Sequence, residues 1–139
     1  DVLFTGKHPE KERLDYIYRL KTCALIEASM MMGAILAGAG NESVAQFEDI
    51  GRSVGMAFQI QDDILDCTGD AALLGKPLNS DEKNGKTTYV TLFGIDTARA
   101  EVERLSENAR HTLENVDSED ENEKKFLLWL IESLVKRMY

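Results

Sequence analysis

Along Phe58-Gln59-Ile60-Gln61-Asp62-Asp63-Ile64-Leu65-Asp66, three carboxylates crowd one short run. If the run is helical, the four-residue spacing puts Asp62 and Asp66 on one face, with Asp63 about 100° away. Carboxylates held that close repel each other. They raise their own pKa values or weaken the helix unless a cation sits among the oxygens. Hard oxygen donors with positions left open suit magnesium, which keeps several waters and shares its remaining positions with a phosphate. Ile60, Ile64 and Leu65 surround the aspartates, so the acidic face is expected to look into a partly dry cleft. Asp70, one turn further, extends the acidic edge. Spacing alone also admits a plain solvated face, because this pattern recurs by chance.

A site that binds magnesium with a phosphate should also offer cations to the phosphate. Lys76 and Lys86 follow the aspartates on an irregular segment that could fold back over a bound group, and Lys21 lies between Leu20 and Thr22 inside a helical stretch. Each could equally be a solvated lysine.

These residues need elements to hold them, and the periodicity supplies helices. Leu14, Ile17, Leu20, Ala24 and Leu25 recur at helical spacing from about residue 9 to residue 38, with Pro9 at a first-turn position and Gly38 or Gly40 as the stop. The uncharged stretch over residues 28–41 reads as buried helix, too short to span a bilayer. Ser43 and Gln46 suggest a capping box opening a second helix that buries Phe47, Ile50, Val54, Ala57, Ile64 and Leu65 and ends near residues 68–69. Residues 70–88, with Gly75, Pro77 and Gly85, break the periodicity. Asp96 can cap a third helix that turns Ala98, Val102, Leu105, Ala109 and Leu113 inward and runs to about residue 115. Ser118 and Glu121 suggest another box before a last helix burying Leu127, Leu130, Ile131, Leu134 and Met138, with Lys136 and Arg137 at its negative end. No strand alternation appears, so the class is all-α, in one domain.

Composition narrows the partners. Sixteen basic residues face 25 acidic ones for a net charge of −9, which disfavours nucleic acid and anionic lipid. Cys23 and Cys67 have no CxxC spacing, so neither a zinc site nor a disulfide framework is signalled and a reducing cytoplasm fits. Met30-Met31-Met32 and Trp129 read most simply as packing residues.

Taken in order, Lys21-Thr22, the run from Gly55 to Asp66, Gly69-Asp70, Gly75-Lys76-Pro77 and Gly85-Lys86-Thr87 resemble the trans-isoprenyl diphosphate synthases of the farnesyl and geranylgeranyl type. The resemblance is clear from about Tyr16 to Val116. It implies the isoprenoid synthase helical bundle, of which residues 1–139 would be the C-terminal half. It also implies a magnesium-dependent prenyl transfer, in which an allylic diphosphate ionises and isopentenyl diphosphate attacks the carbocation. By resemblance, Asp62 would contact a magnesium ion, with Asp63 and Asp66 supporting its hydration shell. Lys21 and Lys76 would grip the leaving diphosphate and Lys86 would add a further cation. Gln59 and Thr22 would lie near the allylic cation, Phe58 would line the isopentenyl pocket, and the intact protein would be a homodimer.

The family also needs an earlier aspartate-rich motif, and residues 1–19 contain none. The expectation is therefore a fragment that does not turn over alone. A non-catalytic regulatory subunit of such a synthase is the alternative, disfavoured by intact Asp62, Asp63, Asp66, Lys21 and Lys76. A terpene cyclase or squalene-synthase-like relative would pair different metal motifs.

Overall fold

A computed structural model describes residues 11–68, 81, 86–118 and 121–135. Every element among them is helical, as the periodicity requires. The first helical stretch is α1 (Lys11–Tyr18), a π-helical turn (Arg19–Cys23) and α2 (Ala24–Leu36), joined without a break. It stops where Gly38 adopts φ 78°, so that the Gly38 and Ala39 N–H groups reach back to the carbonyls of Ile35 and Ala34. The others are α3 (Asn41–Thr68), α4 (Tyr89–Phe93), α5 (Ile95–Glu114) and α6 (Glu121–Val135).

The long helix α3 is the axis, with α2, α5 and α6 packed around it. Two apolar clusters fill the space. Leu14, Ile17 and Tyr18 meet Ala57, Ile60 and Ile64 at the aspartate end, while Ile50 and Val54 meet Ala109, Leu113 and Ile131 at the other.

Two glycines one turn apart set the register of α3 against the first stretch. A Cβ on Gly55 would stand 2.6 Å from the Cys23 Cα, and one on Gly51 would stand 2.7 Å from the Glu27 Cα. Only a residue without a side chain lets the backbones approach so closely. As numbers rise along α3 from 51 to 55, its neighbours fall from 27 to 23. The next turns of α3 therefore bring Gln59 to Thr22 and Asp63 to Tyr18.

Several expectations are corrected. Ser43 does not open α3, which begins at Asn41 with the Gly40 carbonyl accepting from the Val44 N–H at 3.0 Å. Asp96 is a first-turn residue of α5, because Gly94, at φ 82°, takes the cap position. Residues 28–41 are not a buried helix: Ala34 alone of α2 is buried, and Leu36 is 88% exposed. The reason is that α2 lies against α3 on one side, and no described residue covers the other. Trp129 is 61% exposed and rests beside Phe126 on the outside of α6, which buries Ile131 and Val135. The short α4 had no periodicity to give it away, but the Thr88 hydroxyl and the Thr91 side chain form a reciprocal capping box at its start. Pro9, Gly69, Asp70, Gly75, Pro77, Gly85, Lys136, Arg137 and Met138 lie outside the described residues, as does part of the box expected between Ser118 and Glu121.

Candidate active site

The site is assembled where α1, the π-helical turn, α3 and α4 converge. The glycine-set register places the Thr22 hydroxyl against Gln59, donating to its Oε1 at 2.9 Å. One turn on, the Tyr18 hydroxyl donates to Asp63 Oδ2. The backbone N–H of Tyr89, the first residue of α4, approaches both Asp63 Oδ2 and the Tyr18 hydroxyl oxygen at 3.0 Å. The π-helical turn is the segment that carries Lys21 and Thr22, and such turns recur at functional sites.

The three aspartates are not equivalent. Asp63 and Asp66 are each 2% exposed, whereas Asp62 is half-buried. Burial pushes the Asp63 carboxyl up to about 6; hydrogen bonds from Tyr18, the Tyr89 N–H and Gln59 oppose that rise by favouring the charged form. Burial, reinforced by the Asp63 charge, drives the Tyr18 phenol well above its usual range, so it remains a donor at any physiological pH. Asp66 faces a different partner: its Oδ2 accepts the Asp81 N–H at 3.2 Å. Asp81 in turn holds Lys86, whose ammonium lies 3.0 Å from Asp81 Oδ1 and whose N–H reaches the Asp81 carbonyl at 2.9 Å.

Thus Thr22 and Gln59 are brought together, and Lys86 reaches the aspartate end by way of Asp81. Lys21 is exposed on the turn just before Thr22, and Phe58 is half-buried on α3 beside Gln59. Lys76 lies outside the described residues. Sequence reasoning missed Tyr18, Asp81 and Tyr89. A tyrosine at core spacing from Leu14 should have prompted a search, because a buried phenol seeks a partner. Nothing local marked the other two.

Asp62 and Asp66 are the carboxylates that could hold a magnesium ion, as a pair. Among the described residues, no group of three or more His, Cys, Asp or Glu side chains is placed to hold a metal ion. Asp62 and Asp66 are one turn apart on α3. That suits an ion that takes one or two carboxylates and completes its shell with water and phosphate oxygens. Two concavities lie elsewhere. A cleft of about 420 Å³ between α1, α3 and α5 carries Arg19, Arg52 and Arg104 beside Asp15, Asp49 and Glu101. A cavity of about 710 Å³ at the opposite end is lined by residues such as Met30, Ala34, Phe47, Leu113 and Leu127.

Comparison with known proteins supplies the context. The profile of the family described as Polyprenyl synthetase matches residues 3–127. The chain is 41% identical over 117 residues to a farnesyl diphosphate synthase of Escherichia coli (strain K12), covering 84% of this chain and 39% of that protein. It is 40% identical over 108 residues to a chloroplastic geranylgeranyl pyrophosphate synthase of Catharanthus roseus, covering 78% of this chain and 30% of that one. Among solved structures, a heptaprenyl diphosphate synthase from Staphylococcus aureus superposes with a TM-score of 0.90 at 24% identity, over 99% of this chain and 54% of that one; it speaks to the fold. A geranyltransferase from Helicobacter pylori, complexed with magnesium and isoprenyl diphosphate, gives 0.83 at 28% identity, over 99% and 45%. The chain spans well under two thirds of the length of these relatives.

Proposed function

This chain belongs to the polyprenyl synthetase family, and from that premise we propose that it is the aspartate-helix part of a prenyltransferase. The protein it forms would join isopentenyl diphosphate to an allylic diphosphate. The allylic C–O bond breaks and pyrophosphate leaves. A new C–C bond forms to the isopentenyl double bond, and a proton is lost. The observation that carries this reading is the pairing of Asp66 with the Asp81–Lys86 ion pair, one turn from Asp62, because it sets carboxylates for a cation beside an ammonium for a diphosphate.

In this reading Asp62 and Asp66 hold magnesium, which when bound supplies charge stabilisation to the departing pyrophosphate. Lys86 exchanges its Asp81 partner for a phosphate oxygen, and Lys21 and Lys76 bind the same leaving group. Gln59 turns its carbonyl oxygen, tethered by Thr22, toward the allylic carbon as positive charge develops there. Phe58 contributes an apolar wall to the isopentenyl pocket. The sequence carries one DDxxD motif, so the 139-residue chain by itself would bind and not turn over. We place the protein in the cytoplasm as a homodimer; the two free cysteines are in keeping with a reducing compartment. Among the described residues, no helix is long and apolar enough to cross a membrane.

The test is incorporation of labelled isopentenyl diphosphate with magnesium and dimethylallyl or geranyl diphosphate. The expected result is a linear prenyl diphosphate from the full gene product and none from this chain alone. A folded full gene product that incorporates nothing would contradict the reading and favour a non-catalytic subunit.

A further inference from the structure

The three aspartates invite a single role, yet the geometry divides them. Asp63 sits about 100° around α3 from Asp62, and its Oδ2 is engaged by the Tyr18 hydroxyl and the Tyr89 N–H. A cation reaching that oxygen would have to displace a buried phenol and strip a backbone donor of its acceptor. Both losses are costly inside a packed core. The partners lie 45 and 26 residues away in sequence, so this carboxylate fastens distant elements together.

What it fastens matters for the site. Residues leading into α4 return to α3 at two points: Asp66 accepts from Asp81, and Asp63 accepts from Tyr89. Lys86 stands between the two fastenings. It is tied to Asp81 through its ammonium and its N–H, and only Thr87 and Thr88 separate it from Tyr89, Thr88 capping α4. The backbone of Lys86 is therefore held from both ends, through its N–H on the Asp81 carbonyl and through Tyr89, and the Tyr89 end is held by Asp63 and Tyr18.

We infer that Asp63 and Tyr18 are a positioning pair that stands outside the metal shell and acts by fixing Lys86 relative to Asp62 and Asp66. The inference rests on the reading of those three residues as a magnesium–diphosphate site. It reassigns Asp63, which the family resemblance would put in the hydration shell. Tyr18 gains a role that no motif carried.

The test compares Asp63→Asn, Tyr18→Phe and Asp62→Asn in this chain by three readouts. These are Mn²⁺ binding followed by electron paramagnetic resonance, affinity for inorganic pyrophosphate in magnesium by calorimetry, and hydrogen exchange of the Tyr89 amide by NMR. Asp62→Asn should weaken Mn²⁺ binding by about 10- to 100-fold and leave Tyr89 exchange unchanged. Asp63→Asn and Tyr18→Phe should keep Mn²⁺ affinity within about twofold of wild type. They should speed Tyr89 exchange by about tenfold and weaken pyrophosphate binding several-fold. Loss of Mn²⁺ binding in Asp63→Asn, with Tyr89 exchange unchanged, would overturn the inference. So would faster exchange with pyrophosphate affinity intact, which is what a purely structural tie gives. If Asp63→Asn does not fold, Tyr18→Phe, which removes only the phenol oxygen, decides alone. A wild-type chain that binds neither probe refutes the site reading and the positioning role with it. Rapid Tyr89 exchange in the wild type refutes the tie and leaves the site reading standing.

Discussion

Because a carboxylate taken out of water needs donors around it, the fate of each aspartate on α3 is decided by what the rest of the chain brings to it. The spacing of Asp62 and Asp66 was legible in the sequence, and the family resemblance put Gln59 and Thr22 near each other, as their hydrogen bond does. The angular offset of Asp63 was legible too, but the groups that hold it were not, because its donors come from α1 and from the start of α4. Removing one of them has a measurable cost. Tyr18→Phe leaves a buried carboxylate with one donor fewer and should destabilise the chain by about 1–3 kcal/mol in urea unfolding. No loss of stability would mean that the phenol is not holding Asp63. Cys23 offers a second test at this scale. It is wholly buried, and burial, aided by Glu27, pushes its thiol up to about 11. The reactive thiolate is populated only as pH rises toward that value, so at pH 8 Cys23 should resist alkylation while half-buried Cys67 reacts first. Equal rates in the folded chain would contradict the packing of the π-helical turn on α3.

At the scale of elements, apolar periodicity located the long helices because each buries a stripe against α3. The inward residues expected of α5, from Ala98 to Leu113, are its buried ones. Helix starts were less legible. Gly40 and Gly94 set them by backbone geometry, and the polar residues Ser43 and Asp96 only looked like caps. The close approach at Gly51 and Gly55 was invisible for a different reason, since a glycine in a helix shows nothing of its neighbour. It makes a contrast that can be measured. Gly55→Ala would drive a Cβ into the Cys23 backbone and should cost about 1–3 kcal/mol. Gly33→Ala, on α2 with nothing within 4 Å, should gain about 0.5–1 kcal/mol from helix propensity. Similar effects at the two positions would refute the register that brings Thr22 to Gln59.

For the whole molecule, the all-α bundle was legible, but which helix faces are covered was not. Hydropathy reports that α2 is apolar, and only packing reveals that Leu25, Met32, Ile35 and Leu36 stand outside. An apolar strip of this kind invites association. The isolated chain should therefore self-associate in sedimentation at micromolar concentration, and Leu25→Lys with Leu36→Lys should shift it toward monomer. Unchanged sedimentation would remove the strip as the cause. The central claim is that the Asp62 face of α3 serves prenyl transfer. It is tested most directly by the initial rate of magnesium-dependent isopentenyl diphosphate incorporation in the full gene product, measured with and without Asp62→Ala. A fall of about 100-fold or more in kcat with an unchanged melting transition is the predicted result, and near-normal turnover in the variant would contradict it.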